Sequence, residues 1–191
     1  MKWLKAIVVI AVLAAGGLYV VEWWMGRLPD RPYDLVDACA GKTYEDAKPY
    51  AGSGPHPIAI FKDDEDAVLQ HETVFLDGNT TWKPSDPEKA SEVQLVACLK
   101  LISANERTGA TDCAYGPGGI AATETLPMLR ATYQVRVYEL RTHREIRSTR
   151  IEGLDTECRS MIIAGRKTRL LSEPTPDQWQ NLLADLVYGN R

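Results

Sequence analysis

The sequence predicts an α+β protein: an N-terminal transmembrane helix, then a mainly antiparallel β domain with disulfides, closed by a C-terminal helix. Three observations predict it. Two stretches in the middle of the chain alternate apolar and polar residues, a capped amphipathic run stands near the end, and a long apolar segment opens the chain.

The opening segment is Trp3–Met25, interrupted by charge only at Lys5 and Glu22. As a helix it would span about 35 Å, enough for a hydrocarbon core of about 30 Å. Trp3 at one end and Tyr19, Trp23 and Trp24 at the other suit the headgroup level, and Lys2 and Lys5 favour a cytoplasmic amino terminus. Residues 1–27 therefore read as a signal-anchor, a single-pass membrane contact that places the rest of the chain outside the cytoplasm. A cleaved signal peptide cut near Ala14–Gly17 and a buried helix are the competing readings. Residues 28–33 form a Pro-containing tether, and 34–191 one extracytoplasmic domain of ordinary size.

The whole chain carries net charge −4 from 22 basic and 26 acidic residues. Setting aside Lys2, Lys5, Arg27 and Glu22 leaves the external part more acidic still. That balance argues against a nucleic-acid partner or an anionic lipid surface. Four cysteines follow the apolar segment, and in an oxidising compartment an even number reads as disulfides. The expected pairing is Cys98–Cys113 across a hairpin and Cys39–Cys158 over a long loop. No C-x-x-C pair or Cys/His set suggests zinc or dithiol chemistry.

Taken in order, Asp34–Lys48 has room for a helical turn or two, and Tyr50–Pro57, YAGSGPHP, has turn chemistry. Ile58–Phe61 reads as a short buried strand, and Glu72–Leu76 as a second one beyond the charged turn Lys62–Asp66. In Glu92–Leu101, Val93, Leu95, Ala97, Leu99 and Leu101 take one face, the pattern of a half-buried strand. Cys113–Tyr115 is expected to return beside it. Thr132–Leu140 alternates in the same way and turns at Arg141–Arg144 into Glu145–Ile151, a second hairpin. Thr175-Pro176-Asp177-Gln178 is a helix start with a capping box, and Trp179, Leu182, Leu183, Leu186 and Val187 make one stripe.

The order of Cys39, YAGSGPHPIAIF, Trp82, QLVACLK, CAY, YQVRVYELRTHREIRSTRIEG and Cys158 resembles a group of uncharacterised bacterial membrane-anchored envelope proteins. In that group the strand leads to a Thr-Gly-Lys-like turn; here Thr142-His143-Arg144 lacks the glycine. The resemblance implies an envelope location and brings no activity.

No catalytic constellation emerges. Consecutive acids at Asp63–Asp66 lack the alternating spacing of a calcium loop, and Gly116–Gly119 has neither a P-loop lysine nor a Rossmann context. No metal or cofactor is expected. His56, between two prolines, is the residue a rigid loop would present, and with Tyr50 and Trp82 it outlines a ligand-binding surface. Arg144, Arg147 and Arg150, spaced three apart, cannot share one face of a strand. The function expected is a non-enzymatic, membrane-anchored interaction or accessory module with an envelope or membrane protein partner. A small-ligand or glycan receptor using Tyr50, His56 and Trp82 is the alternative.

Overall fold

The computed structural model describes residues 27–63, 69–71, 90–107, 112–116, 124–158 and 169–189. The apolar segment Trp3–Met25, Trp82, the expected strand Glu72–Leu76 and residues 117–119 of the Gly116–Gly119 loop lie outside them. Among the described residues no helix is long and apolar enough to cross a membrane.

A central sheet runs in the order β2 (Leu69–His71), β1 (Ile58–Asp63), β3 (Leu95–Arg107), β6 (Met128–Glu139), β7 (Glu145–Glu152). β8 (Leu170–Leu171) pairs in parallel with the first residues of β6, on the edge that β7 leaves beyond Thr132. β4 (Cys113–Tyr115) and β5 (Glu124–Leu126) form a separate antiparallel pair. The sheet is mainly antiparallel, with parallel ladders at β1–β3 and β6–β8.

Both faces of the first half of the sheet are covered, which is why β1 is an unbroken apolar run rather than an alternating one. Ile58 and Ile60 join Leu95, Ala97, Leu99, Tyr133, Val135 and Val137 beneath the carboxy-terminal helix, Pro176–Tyr188. That helix carries the expected capping box and buries Trp179, Leu183, Leu186 and Val187. On the opposite face, Ala59, Phe61, Val93 and Val96 lie under a nine-residue 3-10 helix, Pro32–Ala40. Three residues per turn stack side chains at every third position, and Pro32, Leu35 and Ala38 are the buried line. This element takes in the last two residues of the expected tether, and Gly41 ends it at φ +103°.

The disulfides correct the expected pairing. Cys39 joins Cys98, and Cys113 joins Cys158, each with Cα atoms 5.6 Å apart. Cys98–Cys113 fails because β3 has no hairpin partner after it. β3 is the central strand, hydrogen-bonded to β1 on one side and β6 on the other, while β4 pairs with β5. Cys98 shares its face with Val96, so it meets Cys39 at the end of the 3-10 helix and leaves Cys158 for Cys113. The second expected hairpin is present as β6–β7, paired from Thr132↔Glu152 to Tyr138↔Glu145.

Candidate functional site

The glycine- and proline-rich loop Tyr50–Pro57 lies against the end of the carboxy-terminal helix. The His56 backbone N–H donates to the Val187 carbonyl at 2.6 Å, using one of the acceptors that a helix end leaves without an intrahelical donor. Close approach requires Gly54: a Cβ there would stand 2.7 Å from the Val187 oxygen. His56 is 5% exposed. Its Nδ1–H donates to Gln94 Oε1 at 2.7 Å, and it meets the Tyr50 ring edge-on with centroids 4.6 Å apart. The structure thus brings two of the three candidate ligand-binding residues together and turns the histidine inward. Trp82 is not among the described residues.

Beside this loop is a carboxylate that the candidate set omits. Glu139 is 6% exposed. Oε1 accepts from the Tyr50 backbone N–H at 3.0 Å, and Oε2 from the Thr142 hydroxyl at 2.8 Å and from Arg144 Nη2 at 3.3 Å. Burial works to raise its pKa, but these donors outweigh it and hold the carboxyl below its ordinary value. A sequence signal for Glu139 existed. It continues the inward series Tyr133, Val135, Val137, and an acid on a buried face needs donors.

Arg147 takes the neighbouring position on β7. Its guanidinium donates from Nη1 to Asp185 Oδ1 at 2.9 Å, from Nη2 to Oδ2, and also to the Leu182 carbonyl. The hydrogen bond from Arg147 lowers the Asp185 pKa despite partial burial, and the same contact raises that of Arg147. This fork ties the edge strand to the helix. Together the loop, the β6–β7 turn and the helix end are laced by groups that satisfy one another. Within this junction Glu139 accepts one protein donor on Oε1 and those of Thr142 and Arg144 on Oε2.

A second polar cluster lies at the other end of the same face. Lys62 is 7% exposed and its ammonium stands 2.7 Å from Glu173 Oε1 and 5.6 Å from the centre of the Tyr133 ring. The Tyr133 hydroxyl donates to the Ser172 carbonyl, and the Ala131 N–H to Ser172 Oγ, each at 2.9 Å. A partly buried pair of this kind ties strand β1 to the segment leading into the helix, because separating the charges would strand the buried Lys62 ammonium. Lys62 and Glu173 lie 111 residues apart, too far in sequence for any spacing rule to join them. Among the described residues no three His, Cys, Asp or Glu side chains group as metal ligands.

His143 belongs to the β6–β7 turn. It adopts φ +55°, stacks on Tyr138 with centroids 4.2 Å apart, and donates from Nε2 to the Ala38 carbonyl at 2.9 Å. The turn position is therefore left-handed at a non-glycine residue, and the ring is used to hold the 3-10 helix.

The chain matches no family model, no curated protein and no solved structure.

Proposed function

We propose that the chain is a non-enzymatic, membrane-anchored module of the bacterial envelope, its domain outside the cytoplasm and accessory to a membrane complex. The observation that carries this reading is the consumption of all four cysteines in two disulfides, which suits an oxidising compartment. The apolar segment Trp3–Met25 behind Lys2 and Lys5 supports the same placement. The inward, hydrogen-bonded His56 and the internally hydrogen-bonded Glu139 support a scaffold role for the loop rather than ligand capture.

The test is cross-linking in intact cells, detergent extraction and mass spectrometry, paired with protease shaving of whole cells or spheroplasts. A stoichiometric membrane or envelope partner and a domain cleaved from outside are the expected results. A monomer with no enriched partner, or a domain protected until the membrane is lysed, would overturn the reading.

A further inference from the structure

Among the described residues, the face of the sheet opposite the helix is covered at its ends. The 3-10 helix packs over Ala59, Phe61, Val96 and Leu140. Met128, at the start of β6, is buried with Cys113 and Leu126 of the small β4–β5 pair. Between them lies a strip whose side chains come from three different strands. Lys100 is opposite Gln134, and Gln134 is opposite Arg150; two positions along, Cys98, Arg136 and Ser148 form the next rung.

Lys100, Arg136 and Arg150 are all exposed. Strands lie about 4.8 Å apart and residues on one face about 7 Å apart along a strand, so these three cations stand roughly 8–10 Å from one another. That is close to the screening length of about 8 Å at physiological salt, and they reinforce rather than ignore each other. Acids on the same face stand towards the strip's two ends, Glu145 opposite Tyr138 and Glu152 opposite Thr132; Arg136 hydrogen-bonds the Tyr138 side chain and feels the Glu145 charge, which together raise its pKa. The middle is cationic in a protein whose overall charge is −4. Ile102, 46% exposed, adds an apolar contact on β3 next to Lys100.

We propose that this strip docks an acidic polypeptide segment of a partner protein, its carboxylates on Lys100, Arg136 and Arg150 and an apolar side chain against Ile102. Arginine supplies forked donors that match carboxylates, and three cations on one face set a charge pattern complementary to acids at short spacing. The cations lie on a narrow strip at strand spacing beside an exposed apolar side chain, a pattern that matches the side chains of an extended polypeptide, which is why the occupant is a protein segment. The inference rests on the interaction-module reading above and names the surface that module would use.

The experiment uses the full chain in zwitterionic detergent and a labelled ten-residue peptide alternating glutamate with valine. Its glutamine counterpart and soluble glycerol phosphate, the anionic headgroup without its acyl chains, are the comparisons. Binding is read by fluorescence anisotropy at two salt concentrations. Expected are binding to the glutamate peptide that weakens with salt, at least tenfold loss in an Arg136→Glu/Arg150→Glu double variant with an unchanged melting temperature, and no loss in Arg141→Glu on the turn. Equal affinity for the glutamine peptide, displacement of the glutamate peptide by glycerol phosphate at equal charge concentration, or an unaffected double variant would overturn the proposal. If the double variant still co-purifies with a stoichiometric partner from cells, the strip is refuted while the module reading stands.

Discussion

Removing the Glu139 carboxylate should loosen the junction of loop, turn and helix by an amount that can be worked from its contacts. The bond from the partly buried Tyr50 N–H to a carboxylate is charge-assisted and contributes about 1.5–3 kcal/mol, with its donor stranded when the acceptor goes. Thr142 is exposed and can turn to water, so its share is about 0.5–1 kcal/mol. The Arg144 side chain is 62% exposed, and an ion pair with one partner so open adds about 0–1 kcal/mol. Glu139→Ala should therefore cost about 3 kcal/mol near neutral pH, or roughly 9 °C in melting temperature for a domain of this size. Glu139→Gln keeps one acceptor for Tyr50 and should cost about half as much. The pH dependence has a definite sign. The folded carboxyl titrates below its ordinary value of 4.5, so its stabilisation is fully present above that pH and is lost as pH falls through the folded value. The gap between wild type and Glu139→Gln, measured by urea unfolding from pH 7 to pH 3, should accordingly shrink below about pH 4.5. An alanine variant within about 1 kcal/mol of wild type at pH 7, or a gap that stays constant on acidification, would refute the reasoning.

The disulfides close separations of 59 and 45 residues, each contributing about 4 kcal/mol on the chain-entropy model. The Cys39→Ser/Cys98→Ser and Cys113→Ser/Cys158→Ser variants should each lose stability of that order, and a non-reducing peptide map should join Cys39 to Cys98; a Cys98–Cys113 peptide would contradict the topology. At His143, alanine keeps the left-handed backbone and loses both the stack and the bond to Ala38, costing about 2 kcal/mol. Glycine loses the same contacts but relieves about 1 kcal/mol of backbone strain, so His143→Gly should melt above His143→Ala, and the reverse order would count against the turn geometry. Gly153→Ala should be severe, since a Cβ would stand 2.3 Å from the Ser172 carbonyl oxygen, a backbone atom that cannot swing aside. Loss of more than about 3 kcal/mol in denaturant unfolding is expected, and a near-neutral result would show that β8 can move away.

Local chemistry alone determined several parts of this protein. Alternation in Thr132–Leu140 named the inner face of β6, because strand side chains alternate with period two whatever surrounds them. The capping box at Thr175–Gln178 and the stripe from Trp179 to Val187 named the terminal helix for the same reason: both depend on neighbours within four residues. A similar local signal, apolar residues at every third position in Pro32, Leu35 and Ala38, was available for the 3-10 helix and would have placed its buried line. Tertiary structure decided what joins what. β3 followed by β4 reads as a hairpin in sequence, yet β3 is filled on both edges by β1 and β6, and that alone redirected both disulfides. The same strand order turned His56 inward against Gln94, joined Lys62 to Glu173, and gathered Lys100, Arg136 and Arg150 on one face from three strands. The arginines that are close in sequence, Arg147 and Arg150, went to opposite faces, one forked onto Asp185 and the other to solvent. Periodicity tells which way a side chain points from its own strand. Which strands lie beside it is settled by the packing of both faces at once, and no local pattern carries that information.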